Sequence, residues 1–342
     1  MTPHSTRFVL LGFLLCFVAI DSTGADRVGA AKTAPSRAAQ SAEWLGGPVI
    51  GFLTGEEPVQ IRAILGVPGA AVAGEPLPLP EGVSRIRVAP GHRYAVLEFA
   101  DSALPVIVNL EEGGEPVGIA GAMTHADLLE FSPLGRSAVL YSATQQRLQV
   151  LTNLPREPRM VRELALAEAA RIAVSDDGEW LIVASSSGAV DFIAPDGRAV
   201  PAFQAAGLPV IAFLPNRLEA AVCDGERGEI HLLGDLDGAA STRLLASGLS
   251  EVSGIAPSPD GGTIIAVAAE PGRGWRIDVA SGAARTFDLP ARPEFLEALR
   301  VPGSFLISSR AGEPAWLLIP GDVETRAYFV PAVLKAGPEA DR

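Results

Sequence analysis

The chain has 342 residues, a formal net charge of −13 and 48% hydrophobic residues. That length fits one large domain or two ordinary ones, and the apolar content is ample for a packed core. The acidic balance argues against binding to nucleic acid or to an anionic membrane surface, because both are bound by clustered Lys and Arg.

The first 25 residues have the pattern of a secretory signal peptide. Arg7 precedes an apolar run over residues 8–20, which is shorter than the about 20 residues of a membrane-spanning helix. Small residues ending at Ala25 predict cleavage there, so we expect a periplasmic or secreted protein with no membrane span in the mature chain. A lipoprotein anchored through Cys16 is a disfavoured alternative, because Leu15 is not the small residue that a lipobox needs.

Cysteine is almost absent from the mature chain. Only Cys223 remains after cleavage, so no internal disulfide is expected and stability has to come from packing. Cys223 lies within the apolar segment AAVCD, where a small buried side chain in a strand is the expected role.

A repeat of about 43 residues runs through the mature chain. Each unit has a short apolar strand, a Pro/Asp/Gly turn, a second apolar strand, a small polar turn, a third strand and a weaker fourth. A four-stranded propeller blade takes about 40–45 residues, so this period predicts a β-propeller. The landmark turn residues, spaced by 43, 43, 39, 44 and 43, are Pro90, Pro133, Asp176, Pro215, Pro259 and Pro302.

The count of units predicts an all-β protein with seven four-stranded blades. Residues 84–335 hold six units, and residues 42–83 hold a seventh whose innermost strand is missing or weak. Six or eight blades stay open because the first unit is irregular, and residues 64–76 are interpreted as a Gly/Pro-rich crossover between the first two blades. The predicted signal peptide, flexible Ala-rich linker, single propeller domain and disordered tail are residues 1–25, 26–41, 42–335 and 336–342.

Two of the units carry a family resemblance. The segments PSPDGGTIIAVA and VSDDGEWLIVA resemble the [FS]-P-D-G-x-x-[LI]-[AV] signature of bacterial WD40-like and YVTN-type β-propeller repeats. The resemblance covers roughly residues 45–335. It implies a scaffold that binds a protein or another ligand, and the family shares no single activity.

Two acidic turns are candidate cation sites. Residues 175–178, Ser-Asp-Asp-Gly, offer carboxylates, but no further carboxylate follows until Asp191, and calcium takes six to eight oxygen ligands. Equivalent positions in other units hold Pro and Leu, so a strand-to-strand turn is the favoured interpretation. The same interpretation is favoured for Asp235 and Asp237.

No catalytic, metal-binding or cofactor-binding signature occurs. His92, His125 and His231 fall in different units at different repeat positions, and the chain has no HExxH, Gly-x-Ser-x-Gly or phosphate-loop motif. We therefore predict no catalytic residues, no metal and no cofactor.

Five arginines are the candidate binding residues. Arg62 and Arg87 lie on early strands and are expected near the axial opening, while Arg93, Arg136 and Arg217 recur in the turn after the first strand of their units. That recurrence predicts an anion-binding patch on one face. Ordinary solvated turn charge is the favoured alternative, because charged turn residues are common.

These observations favour an exported, monomeric, non-enzymatic propeller that presents loops to a protein or polymeric partner. Two alternatives stay open. One is an enzyme of the lactonase or quinoprotein type, with an axial active site assembled from several blades. The other is a structural component of a cell-envelope complex, since fold alone does not fix function.

Overall fold

The computed structural model describes residues 48–331, except for 102, 237, 239, 250, 269–271, 291, 294, 309–313, 322 and 323. The predicted signal peptide, linker and tail, together with Asp237, lie outside these residues. No helix in the described ranges has the length and apolar character needed to cross a membrane.

The described residues form 27 strands in seven antiparallel sheets, each built from consecutive strands. The first three sheets contain β1 Val49–Glu56, β2 Val59–Leu65, β3 Val72–Pro76; β4 Val83–Val88, β5 Tyr94–Phe99, β6 Val106–Asn109, β7 Val117–Gly118; β8 Leu128–Phe131, β9 Ala138–Ser142, β10 Arg147–Thr152, β11 Arg159–Ala165.

The remaining four sheets follow the same order along the chain. They contain β12 Arg171–Val174, β13 Leu181–Ala184, β14 Ala189–Ile193, β15 Ala199–Gln204; β16 Val210–Phe213, β17 Ala220–Asp224, β18 Glu229–Gly234, β19 Ser241–Ser247; β20 Val252–Pro257, β21 Thr263–Ala268, β22 Arg273–Asp278, β23 Ala284–Asp288; β24 Phe295–Ala298, β25 Phe305–Ser308, β26 Ala315–Pro320, β27 Thr325–Val330.

Burial along the strands follows their position in the blade. The second strands β9, β13 and β17 are buried at every residue, as expected for near-continuous apolar runs covered on both faces. The outer strand β11 instead alternates between exposed and half-buried residues. β11 is the fourth strand of its sheet, which confirms the predicted fourth strand of this repeat unit.

Seven hydrophobic clusters hold the described blades together, one between each pair of neighbours. Phe52 of the first blade packs with Leu97 of the second, for example. The ring closes where Ile50 of the first blade packs with Leu317 and Val330 of the seventh. The prediction of a seven-bladed propeller is therefore confirmed.

The first blade has fewer described strands than the other six. Its sheet has three described strands, β1 to β3, where every other blade has four. Residues 64–76 are not only a crossover, which corrects the sequence interpretation: Val72 and Ala73 of β3 pair with β2 as its outer neighbour. The turn before them contains Gly66 and Gly69, both at positive φ, so the Gly-rich sequence also closes the hairpin between β2 and β3.

The turn between the first and second strands of blades two to seven is closed in each by a hydrogen bond from the N–H of its first residue to the carbonyl of its sixth, and we call it the inner turn. In the turn at residues 175–180, Ser175 N–H donates to the Trp180 carbonyl and Gly178 N–H donates to the Ser175 carbonyl, at 3.0 and 2.9 Å. Gly178 has a φ of 76°. The Ser-Asp-Asp-Gly segment is thus a turn, as predicted. The six inner turns are residues 89–94, 132–137, 175–180, 214–219, 258–263 and 299–304.

Candidate functional site

The inner turns surround a funnel at one end of the ring. The funnel has a volume of about 840 Å³, and a narrower channel of about 240 Å³ continues from it between the first strands of blades two to seven. The second residue of every inner turn lines the funnel: Pro90, Pro133, Asp176, Pro215, Pro259 and Arg300.

Asp176 joins three inner turns at the funnel wall. Its Oδ1 accepts a hydrogen bond from Leu134 N–H of the third blade at 2.8 Å, and its Oδ2 accepts one from Asn216 N–H of the fifth at 3.0 Å. Arg136 of the third blade donates to the Asn216 side chain at 3.0 Å. The Asp176 carboxylate is therefore used by the protein itself, which explains an acidic residue where most blades have Pro.

The other funnel acids are also engaged by the protein. Asp177 accepts hydrogen bonds from the Ser175 hydroxyl and from Glu179 N–H. Glu157 lies 3.0 Å from Arg159. Their capacity to accept further hydrogen bonds is consequently reduced.

Four arginines line the same funnel with spare donors. Arg156 makes no hydrogen bond or ion pair among the described residues, and Arg93 is 71% exposed with its Nε 3.7 Å from Glu111. Arg136 donates one hydrogen bond, from Nη1 to the side-chain oxygen of Asn216. Arg300 donates to the His92 carbonyl at 3.2 Å, and burial lowers its pKa. Most of the hydrogen-bonding groups that remain free in the funnel are therefore arginine N–H donors.

The five arginines selected from the sequence do not come together as one site. Arg93 and Arg136 line the funnel, and Arg87 lines the channel below it. Arg217 lies in an inner turn beside Glu219, outside the funnel lining. Arg62 donates to the Gly74 carbonyl and to Gln60, both within the first blade.

A layer of the channel was missed by the sequence analysis. Two residues before each inner turn, the first strands of blades two to seven place one residue in the channel wall, and we call this set the channel layer. It consists of Arg87, Glu130, Ala173, Ala212, Ala256 and Glu297. Aligning the six repeats at the inner turn was the signal that would have found it.

The side chain of His92 packs against β1 of the first blade. Its side chain is 1% exposed, and its Nδ1 accepts a hydrogen bond from Phe52 N–H of β1 at 2.8 Å. This bond leaves the proton of the neutral ring on Nε2, which lies 3.8 Å from Glu297 Oε2 in the channel. Burial and the positive charge of Arg300 lower the pKa of His92 to about 3, so the ring is neutral at pH 7.

The two channel carboxyls have raised pKa values. Burial raises the pKa of Glu297 to about 7, with Arg87 opposing and Glu130 adding to the shift. Burial also raises the pKa of Glu130, against the attraction of Arg87, Arg171 and Arg85. At neutral pH Glu297 therefore exchanges a proton readily, a property that clusters at functional sites.

The remaining chemistry-bearing residues lie apart from the channel. His231 Nε2 lies 3.0 Å from Glu229 in the fifth blade. Cys223 is fully buried in β17, as predicted, and burial raises the pKa of its thiol to about 12, which makes it a poor nucleophile. In the described part of the chain, no group of three or more His, Cys, Asp or Glu residues is placed to hold a metal ion.

Comparison with known proteins identifies the architecture. No family model matches the sequence, and no curated protein matches it. A protein of unknown function from Desulfotomaculum acetoxidans DSM 771 has a TM-score of 0.57 at 17% identity, over 86% of this chain and 97% of that one. Virginiamycin B lyase from Staphylococcus aureus has a TM-score of 0.51 at 14% identity, over 73% and 84%.

A third similar structure is eukaryotic. Hsv2 from Kluyveromyces marxianus has a TM-score of 0.52 at 11% identity, over 83% of this chain and 97% of that one. Identities this low show the fold alone, so the activity of the lyase is not carried over. The described residues of the chain therefore form a seven-bladed β-propeller, the fold that it shares with these structures.

Proposed function

We propose that this protein is an exported binding propeller whose funnel holds an acidic segment of a protein or polymeric partner. The observation that carries the proposal is the balance of hydrogen-bonding groups in the funnel. The carboxylates of Asp176 and Asp177 are engaged by backbone and side-chain donors of the protein, whereas Arg93 and Arg156 point to solvent with donors to spare.

The net charge of the chain makes the funnel stand out further as a site for an acidic ligand. A chain with a net charge of −13 repels polyanions over most of its surface, so an arginine-lined funnel of about 840 Å³ would be a local exception. Arginine binds carboxylate and phosphate groups in a bidentate manner, which favours oriented binding over simple charge attraction.

A direct test uses a fluorescein-labelled deca-glutamate peptide as the probe, followed by fluorescence anisotropy. Replacing Arg93, Arg136 and Arg156 together by Gln should weaken binding at least about tenfold, because the bidentate donors are lost. The matched control replaces three exposed arginines on outer parts of the blades, Arg198, Arg273 and Arg326, and should change the affinity less than about twofold.

The two triple variants remove the same total charge, so they separate a site from a general charge effect. Equal weakening in both variants would contradict the proposal, as would wild-type protein that binds a neutral Gly/Ser decapeptide as tightly as deca-glutamate. Thermal unfolding of each variant shows whether the propeller is intact.

Export is proposed on the N-terminal pattern, a charged residue followed by a short apolar run and small residues. Expression of the full chain in a bacterial host followed by fractionation should recover a periplasmic or secreted product that lacks the first 25 residues by mass. Recovery of full-length protein in the cytoplasm would contradict it.

A further inference from the structure

The chain enters the first blade beside the funnel. β1 begins at Val49, and the carbonyl of Pro48 accepts a hydrogen bond from Gly66 N–H at 2.9 Å. The Ile50 carbonyl accepts one from the backbone N–H of Arg300, a residue that lines the funnel, at 3.3 Å. The segment before Pro48, which lies outside the described residues, therefore joins the ring at the funnel rim.

The edge of β1 that faces the axis is already occupied at this end. Phe52 N–H donates to His92 Nδ1 at 2.8 Å, and the Ile50 carbonyl is used as described above. Gly91 N–H donates to the Ala298 carbonyl at 2.9 Å, so the second and seventh blades are joined directly on the axial side of β1. The preceding segment therefore has no free edge to pair with here, and it turns either outward over the rim or inward to the funnel.

The funnel wall is complementary to a segment that carries both a carboxylate and apolar side chains. Its lining includes seven prolines and three leucines, and proline adds no backbone N–H to the wall. Val301 in the inner turn of the seventh blade is 43% exposed. Arg300 Nε is buried without a hydrogen-bond partner among the described residues, and Arg93 lies close enough for the two charges to repel.

We propose that residues 43–45, Glu-Trp-Leu, fill the funnel of the free protein as a tethered plug. The Glu43 carboxylate binds between Arg93 and Arg300, and the Trp44 ring packs on the proline wall. The inference rests on the proposed function, because the plug and the acidic ligand compete for the same arginines. It adds the regulation of that site by the chain itself.

The sequence before Pro48 supports this occupant. Within residues 27–47, Glu43 is the single acidic residue and Trp44 the single aromatic one, and they are adjacent. Trp44 is four residues before Pro48, so it reaches up to about 13 Å from the rim, more than the about 9 Å width of a funnel of 840 Å³. Residues 46 and 47 are glycines, which have no side chain to oppose a sharp turn into the funnel.

The short tether makes a weak plug effective. A segment attached this close to its site has an effective concentration of the order of millimolar, so an intrinsic affinity of about 1 mM is enough to keep the funnel mostly filled. A ligand with many carboxylates displaces the plug, whereas one with a single carboxylate competes poorly. The plug therefore selects extended acidic ligands over small anions.

The test follows the fluorescence of Trp44 in the full mature protein, residues 26–342. The chain has three other tryptophans, so the Trp44 emission is taken as the difference between the wild type and Trp44→Phe. In the free protein this emission should be blue-shifted and protected from acrylamide, relative to a synthetic peptide of residues 37–47. Saturating deca-glutamate should return it to the values of the peptide.

Two pairs of variants make the test specific. Arg93→Gln should expose Trp44 to acrylamide, whereas Arg198→Gln, at an exposed arginine on an outer turn with a similar acidic neighbour, should leave it protected. Glu43→Gln should tighten deca-glutamate binding about threefold, because a tethered competitor is lost. Asp26→Asn removes the same charge from the far end of the segment and should leave the affinity unchanged.

The plug and the proposed ligand can fail separately. Wild-type Trp44 as accessible to acrylamide as the free peptide, or equal protection in Arg93→Gln and Arg198→Gln, would overturn the plug. Protection that Arg93→Gln removes would support the plug even if deca-glutamate does not bind, and in that case only the proposed ligand is rejected. Thermal unfolding of each variant shows whether the propeller is intact.

Discussion

Two inner turns with the same closing hydrogen bonds use their fourth residue, at positive φ in both, in opposite ways. In the fourth blade this residue is Gly178, and a Cβ atom there would lie 2.6 Å from Thr152 Cγ2. In the second blade it is His92, at a φ of 51°, whose side chain reaches β1 of the first blade. The inner turn thus closes tightly on a neighbour in the fourth blade, and in the second blade it supports a neighbouring sheet that has three described strands.

The difference shows how a repeat protein accommodates an irregular unit. Among the described strands β1 pairs only with β2, and His92 Nδ1 accepts the hydrogen bond of the Phe52 N–H. A non-glycine residue at positive φ is strained, so His92 is kept at this position against its backbone preference. The variants below test whether its side chain compensates for that strain.

The largest effect is expected from His92→Gly, which gives the second blade the residue that the third, fourth and sixth have. The change leaves Phe52 N–H buried without an acceptor and opens a cavity, while backbone strain is relieved. We expect the free energy of unfolding to fall by about 3 kcal/mol, measured by urea denaturation. A loss below about 1 kcal/mol would show that His92 contributes little to the stability of the first blade.

The contribution of His92 to the free energy of unfolding should fall as the pH is lowered. The pKa of His92 is about 3 in the folded protein and 6.5 ordinarily, so below pH 6.5 the unfolded chain binds a proton that the folded chain does not. Its contribution to stability is therefore present above pH 6.5 and is lost as the pH falls, by up to about 1.4 kcal/mol per unit.

Comparison with His92→Gln isolates this effect, because both proteins retain Glu297. The raised pKa of Glu297 acts in the opposite direction, since the folded carboxyl holds its proton up to about pH 7 and the unfolded one releases it near 4.5. Between pH 6.5 and 4.5 the wild type should lose about 2 kcal/mol more than the variant in urea denaturation. Parallel pH profiles would contradict the prediction.

Gly178→Ala tests whether the close approach to Thr152 in the fourth blade requires glycine. The new Cβ would collide with Thr152 at a φ of 76°, so we expect a loss of about 2 kcal/mol in thermal or urea unfolding. The matched control is Gly91→Ala in the second blade, which has a φ of 78° but no atom within 4 Å of the added Cβ, and it should cost only about 1 kcal/mol. Equal losses would mean that the conformation, not the close contact, selects glycine.

Asp176→Ala should have the smallest effect, about 1 kcal/mol, because one of its two N–H partners is exposed and turns to water. Asp196→Ala, which removes a single hydrogen bond to Arg198 N–H in an outer turn, should cost less. Millimolar calcium should not change the melting temperature of the wild type. A calcium-dependent rise that Asp176→Ala abolishes would instead show a metal site.

Much of the fold could be predicted from the sequence because each blade repeats the same pattern of apolar runs and turns. The runs LIVA and AAVCD and the turns between them recur at a constant spacing, so the blade number could be counted. The outer strand of the first blade was missed because Val72 and Ala73 follow a Gly-rich hairpin and their pairing with β2 depends on tertiary contact. Propensity alone does not report such pairing.

The candidate site was harder to predict, since its residues come from blades far apart in the chain. Arg93 and Arg136 were found because they share a repeat position, and both line the funnel. Glu130 and Glu297 were missed because each is a single acidic residue within an apolar strand. Only the ring brings them to one channel, where burial raises the pKa values of both and Glu130 adds to the shift of Glu297.

The way the ring closes has a mechanical consequence. The described strands of every sheet are consecutive, so the seventh and first blades share no described strand and meet through side chains such as Ile50 and Val330 and one backbone hydrogen bond, from Arg300 to the Ile50 carbonyl. This seam can widen without breaking any strand pair of the described sheets. The same is true of the other six interfaces, so opening the ring at this seam costs only the apolar contacts of one cluster, that hydrogen bond and the hydrogen bonds that join the seventh blade to the second.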